Sequence, residues 1–260
     1  MLNAVSAINM YSRQLDRLQK VVADDPQVKR ETEYFLGKIS SVKSAEDLVK
    51  DTRLLTVATK AFGLSDMAYA KAFLVKLMNG GLADTESMAN TMVDRRFRTF
   101  VETFNFGDLG EFATSFSGRM TKVAEAYKRQ VLEDRAGEAN PAAKLALYFQ
   151  RKAPELQSGV DFLADKALTQ FVQTALNLPS ARISSDEALQ AAVNRIEEKV
   201  DFADLKTPAG IEKMISRFAA MWELKNPSET TTQTPLSITG SSSGFSYATI
   251  MNLQKLISSK

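Results

Sequence analysis

The chain contains no cysteine and no histidine. The first absence excludes disulfides and thiolate nucleophiles, and the two together exclude Cys/His metal sites. The second removes the side chain most often used for proton transfer near neutral pH. Lack of cysteine suits a cytosolic protein. It equally suits one that unfolds, leaves the cell and refolds without thiol chemistry. Long apolar runs are also missing: no stretch approaches the roughly 18 residues that a membrane span needs. The opening segment, MLNAVSAINMYSRQLDRLQK, has no basic n-region, no long apolar h-region and no small-residue cleavage site, so no Sec signal is expected. The sequence therefore predicts a protein that is cytoplasmic, or exported by a Sec-independent route. Charge of one sign is scarce as well. A net charge of +2 sets up no field that demands nucleic acid or an anionic membrane. Strand signals are nearly absent, since period-two runs of Val, Thr and Tyr do not recur and no Asn-Gly turn stands between two such runs.

What is present is helical periodicity over 260 residues that are 44% hydrophobic and 25% charged, enough for one sizeable core or two smaller ones. Ile8, Tyr11, Leu15 and Leu18 recur at three- and four-residue steps, which places them on one face of a helix. Asp25-Pro26 reads as an N-cap and first helical residue, Ser44 with Asp47 as a capping-box start, and Asp94 as another N-cap. A helix is expected from about Leu48 to Phe62, stopped by Gly63 in the left-handed conformation. Others are expected after Ser65 or Asp66, from Asp84 or Thr85 through Met92, from Glu111 to Arg135 with closure at Gly137, and after Asn140-Pro141, with further helices to about Leu224.

Two halves of the chain resemble each other at a constant offset of 114 positions. Leu54, Ala61, Phe62, Gly63 and Leu64 correspond to Leu168, Ala175, Leu176, Asn177 and Leu178; Phe97, Phe100, Val101 and Phe104 correspond to Ile211, Met214, Ile215 and Phe218. Gly and Asn share the tolerance for positive φ that ends a helix. Between these blocks, Leu74, Leu77 and Met78 match Leu189, Ala192 and Val193 after a one-residue shift. The expected architecture is an all-α multi-helix bundle with two pseudo-repeated lobes. Residues 1–110 form the first lobe, 111–155 connecting helices and 156–225 the second lobe. Residues 226–244, rich in Ser, Thr, Pro and Gly, form a linker, and 245–260 a tethered amphipathic helix.

No residue set suited to catalysis emerges, and no cofactor or metal is expected. The acidic neighbours Asp24/Asp25, Glu133/Asp134 and Glu197/Glu198 point in different directions on a helix, so they read as solvated faces or caps. Asp94, Arg95, Arg96 and Arg98 would suit a phosphate or carboxylate, or a helix start whose arginines face solvent or neighbouring acids. Lys128 and Arg129, with Glu125 and Glu133 at helical spacing, read as an ordinary charged face. Gly80-Gly81 and Gly107/Gly110 are not a P-loop, because no GxxxxGK[ST] occurs. Met67, Met78, Met88 and Met92 suit core gaps or an adaptable surface. Trp222 suits an anchor at the end of the second repeat, or an interface.

The segments DTRLLTVATKAFGL, DMAYAKAFLVKLM, DTESMANTMVDRRFRTFVETFNF, AKLALYFQRKAP and ISRFAAMWE closely resemble an alphaproteobacterial family known as domain of unknown function 1217, over about Tyr11 to Leu224. Genes of that family commonly lie among flagellar genes. The resemblance implies a flagellum-associated, non-enzymatic protein with flagellar proteins as partners, and it brings no established active site. Val5–Leu18 and Tyr247–Ile257 look like terminal assembly segments. In the tail, Tyr247, Ile250, Met251, Leu253 and Ile257 are the expected partner-binding residues, seated as helix anchors in a groove, with self-association as a related expectation. The alternative is a cytoplasmic chaperone or regulator of a flagellar export substrate.

Overall fold

The computed structural model describes residues 2–179 and 185–227, and no strand occurs among them. The helices run α1 (Ala4–Arg13), α2 (Leu15–Asp24), α3 (Pro26–Lys38), α4 (Ala45–Lys50), α5 (Thr52–Ala61), α6 (Lys71–Asn79), α7 (Met88–Thr91) and α8 (Arg95–Thr103). They continue as α9 (Phe106–Leu109), α10 (Ser117–Ala139), α11 (Pro141–Lys152), α12 (Gly159–Leu163), α13 (Lys166–Ala175), α14 (Asp186–Glu197) and α15 (Pro208–Lys225). Met1–Asn226 make one compact unit. The tail residues Tyr247, Ile250, Met251, Leu253 and Ile257 lie outside the described residues.

Caps explain most boundaries, including those where the periodicity misleads. The stretch expected to be one helix from Leu48 to Phe62 is split at Asp51, whose extended backbone lets its carboxylate accept from the N–H groups of Arg53 and Leu54. A side chain that satisfies two orphan donors starts a new helix, and the old one ends there. Helix α10 passes through Gly137 and stops at Asn140 instead. Asn140 is extended (φ −164°) and caps α11, as suits a residue that precedes proline. The expected Asp84 start is replaced by α7, which begins only after Ser87. Residues Ile8 to Leu18, expected to share one helix face, are divided between α1 and α2 by a break at Gln14 (φ −109°, ψ 20°).

The apolar residues assemble into two cores. The first gathers side chains from Val22 to Val101, with Phe35, Leu48, Leu55, Leu74 and Phe100 fully enclosed. The second is built on α11, α13 and α15. There Phe149, Phe171 and Phe218 stack with centroids 4.0 and 4.4 Å apart. The leading helices cross over between the cores. Met120, Val123, Tyr127 and Leu132 of α10 complete the first core, while Ala4, Ala7 and Ile8 of α1 complete the second. The α1–α2 pair and α10 each stand directly before a capped, proline-started helix, α3 and α11 respectively. Each repeat thus lends part of its leading segment to the other, while Val22 of α2 stays in the first core and Ala136 of α10 in the second.

The 114-position offset also governs local detail. Gly63 (φ 69°) and Asn177 (φ 51°) end α5 and α13 in the same left-handed conformation. Asp165 caps α13 through the N–H groups of Ala167 and Leu168, as Asp51 caps α5. The Tyr34 hydroxyl donates to Asp51 at 2.6 Å, and the Tyr148 hydroxyl donates to Asp165. Ser44 and Ser158 each begin the preceding short helix. Both tyrosine rings carry a guanidinium, Arg53 at 3.8 Å from the Tyr34 centroid and Arg151 at 5.0 Å from that of Tyr148. These arginines come from non-equivalent positions, so the ring–cation contact was met twice by different means.

Two outcomes follow from these caps. Around Gly63 an added Cβ meets only ordinary contacts, so Gly63→Ala isolates the backbone cost. Gly63→Ala and Asn177→Ala should each lower unfolding free energy by about 1 kcal/mol, whereas Asn177→Gly should not; urea titrations measure both. The second concerns pH. The Arg135 guanidinium and two backbone N–H groups hold the Asp25 carboxyl below its ordinary range. At Asp51 burial opposes ionisation, but the Tyr34 hydroxyl and two N–H groups outweigh it. At Asp134 burial is likewise outweighed by Lys144 and Lys60. Groups with depressed folded pKa values contribute stability that is complete above the ordinary carboxylate value and is lost as pH falls through the depressed one. Melting temperature should therefore drop below about pH 4 and, with no histidine to titrate, stay flat between about pH 5 and 8.

Candidate functional site: a groove between the first and last helices

Helices α1 and α15 pack together and on α11, and the backbone N–H of Ala4 at the start of α1 donates to Glu223 near the end of α15. Between them lies a groove of about 630 Å³. Its α1 wall carries Val5, Asn9 and Arg13 on the rim with Ile8 and Ser12 below, and its α15 wall carries Pro208, Glu212, Ser216 and Ala220 above Ile211, Ile215 and Ala219. Both walls repeat at three- and four-residue steps, so each presents a helical ridge. Small residues along α15 leave backbone close to the surface. Ser12 Oγ and Gln150 Oε1 are buried and have no hydrogen-bond partner among the described residues, and both line the groove. An orphaned buried polar atom is costly, on the order of 1–3 kcal/mol. A groove with an apolar base and two such atoms suits a helix bringing apolar anchors and a polar group.

Gln150 stands next to Arg151, which belongs to an ion cluster built around a buried carboxylate. Glu133 is wholly enclosed. It accepts from Arg129 at 3.1 Å and from two nitrogens of Arg151 at 2.8 and 2.9 Å, while Arg129 also donates to the Leu147 carbonyl. Burial pushes the Arg129 guanidinium down in pKa against the pull of Glu133. At Arg151 burial opposes the charge too, but the hydrogen bonds to Glu133 prevail and the pKa rises. The expectation that Glu133/Asp134 and Lys128/Arg129 form solvated faces is corrected here. The Lys128–Glu125 pair does lie at the surface, but Glu133 and Arg129 turn inward because α11 packs along that side of α10. Asp134 is half-buried and pairs with Lys60 and Lys144. Periodicity could not separate these cases, since an inward Arg–Glu pair and an outward one have the same spacing.

The arginine cluster resolves to structure. Asp94 caps α8 and holds Arg96 through both carboxylate oxygens; Arg96 also donates to the Gly63 carbonyl at 2.6 Å. Arg95 pairs with Asp161 of the second repeat, and Arg98 pairs with Glu102. A depression of about 330 Å³ beside Tyr148 and Asp165 is bordered by Arg95, Arg96 and Arg151. All three are committed to carboxylates, so an incoming phosphate would compete with each. Met78 is fully buried in the first core, and the partly buried Met67, Met88 and Met92 border that core. Trp222 packs on Phe218 with centroids 5.6 Å apart. The groove residues Ser12, Gln150, Ser216 and Ala220 were not singled out by sequence. Their one signal is the small-residue spacing on α15.

Glu133→Gln should cost about 3 kcal/mol in urea unfolding, because it leaves two guanidinium groups with no buried counter-charge. Replacing Glu133, Arg129 and Arg151 together by Met should recover part of that loss, since the cluster is then removed as a unit.

A family model described as "Protein of unknown function (DUF1217)" matches residues 61–211, more than half of the chain. The crystal structure of protein AGR_C_984 from Agrobacterium tumefaciens is similar to the chain at 41% identity, with a TM-score of 0.77, over 86% of this chain and 94% of that one. No curated protein matches the chain.

Proposed function

The chain belongs to the DUF1217 family, and from that footing we propose that it is a non-enzymatic, flagellum-associated assembly protein that receives a partner helix in the groove between α1 and α15. The groove carries the docking part of the reading: two ridged walls, apolar at the base and mixed at the rim, with Ser12 Oγ and Gln150 Oε1 unpartnered between them. The flagellar part is supported by the sequence resemblance to a family whose genes commonly lie among flagellar genes. The non-enzymatic part is supported by the lack of histidine and cysteine and by the commitment of the cleft carboxylates and guanidinium groups to one another. Flagellar partners, and association with further copies of the chain, belong to the same proposal. The helix register expected of the tail, with Tyr247, Ile250 and Ile257 as anchors, would serve a groove on a partner in the same manner.

Fractionation of flagellated cells tests the assignment. Recovery of the protein with sheared filaments or basal bodies is the expected result, and confinement to the cytosol would favour the chaperone alternative. The groove has its own test. Ser216 and Ala220 are exposed on the α15 rim, so Ser216→Arg with Ala220→Arg should leave the melting temperature nearly unchanged. It should also weaken recovery with flagellar fractions about tenfold, the equivalent of about 1.4 kcal/mol. Unaltered recovery and motility would dismiss the groove as the docking site.

A further inference from the structure

The break at Gln14 has no local cause. Neither Gly nor Pro is near it, Gln is a good helix former, and no side chain caps the start of α2. The apolar spacing of Ile8, Tyr11, Leu15 and Leu18 suits one unbroken helix. The counterpart in the second repeat, α10, is unbroken over its 23 residues. Tertiary packing therefore bends the chain at Gln14 to seat α1 on the second core.

That seat rests on a short list of side chains and ties. Ala4, Ala7 and Ile8 are the buried residues of α1. Beyond these, the segment is tied by the Ala4 N–H to Glu223, by Asn140 donating to the Leu2 carbonyl at 2.9 Å, and by the Tyr11 hydroxyl donating to the Arg135 carbonyl at 3.2 Å. The two repeats already exchange parts of their leading segments inside one chain.

We infer that α1 is an exchangeable arm whose partner is a second copy of this chain: straightening at Gln14 carries α1 out of its own second core and into that of the other copy, which returns its α1. The α1–α11–α15 contacts remade between copies are those of the monomer, so no new surface has to be complementary. Gln14 already makes both helical hydrogen bonds, its N–H donating to the Met10 carbonyl at 3.3 Å and its carbonyl accepting from Leu18 at 2.8 Å, so straightening sacrifices neither. This inference deepens the self-association part of the proposal above and does not depend on the groove or the flagellar assignment.

Because the chain has no cysteine, single thiols report without background. Chains carrying Ala4→Cys are mixed with chains carrying Glu223→Cys, incubated at high concentration, diluted and treated with a short bis-maleimide. A cross-linked heterodimer is the expected product, because the two positions meet across chains only after exchange. A chain carrying both thiols should cross-link internally when dilute, which shows that α1 still seats. Light scattering on the unmodified chain should show a dimer fraction that rises with concentration. Gln14→Gly should lower the dimer yield about fivefold per hinge, following the helix-propensity difference of about 1 kcal/mol. The inference is overturned if the double-thiol chain closes internally and the mixed single-thiol chains give no heterodimer at any concentration. A dimer by light scattering with no Ala4–Glu223 cross-link between chains would overturn it as well.

Discussion

Everything in this fold depends on each repeat lending part of its leading segment to the core of the other. Neither core is complete from its own half: the first lacks a wall until α10 supplies Met120, Val123 and Leu132, and the second lacks one until α1 supplies Ala4, Ala7 and Ile8. Helices bury one stripe and need a facing surface. Small residues set how closely those surfaces come. Ala142, Ala143 and Ala146 on α11, all fully buried, let neighbouring helices approach nearly backbone to backbone, and that closeness is what allows a helix as short as α1 to matter. The two repeats are consequently one cooperative body, without a plane along which they could part.

Polar interactions act on top of that packing as registration marks. A tyrosine hydroxyl donates to the aspartate that caps the following long helix, at Tyr34–Asp51 and again at Tyr148–Asp165, fixing where α5 and α13 begin against the helix that carries the ring. Burial and the Asp165 charge push the Tyr148 phenol up in pKa, which keeps it protonated as the donor. The symmetry fails where function or fit required otherwise. Only the second repeat holds the Glu133 cluster. At the same 114-position offset the corresponding places in the first repeat are occupied by Leu15, Gln19 and Gly37, and Leu15 packs against apolar neighbours.

The all-α class, the Asp25, Ser44, Asp94 and Asn140 caps, the left-handed stops at Gly63 and Asn177 and the internal correspondence could all be read from sequence. Each is written in a few adjacent residues or in a constant offset. What escaped was whatever tertiary packing decided. Asp51 looks like any acidic residue until the ring of Tyr34 is placed beside it, and the bend at Gln14 contradicts its own local preference. Glu133 shares its spacing with surface pairs. The groove was hidden for a related reason: Ser12 and Gln150 are unremarkable polar residues along their helices, and their significance lies in facing a space shared with a third helix more than 190 positions away from α1.

Trp222 carries a last consequence. It is the single tryptophan of the chain, set against Phe218 in the second core and one residue before Glu223, where α1 is fastened. The sole indole fluorophore therefore packs on the second core, and its emission wavelength and quenching by small solutes form a native gauge of whether that core is intact. No dye or labelled residue is required to watch it.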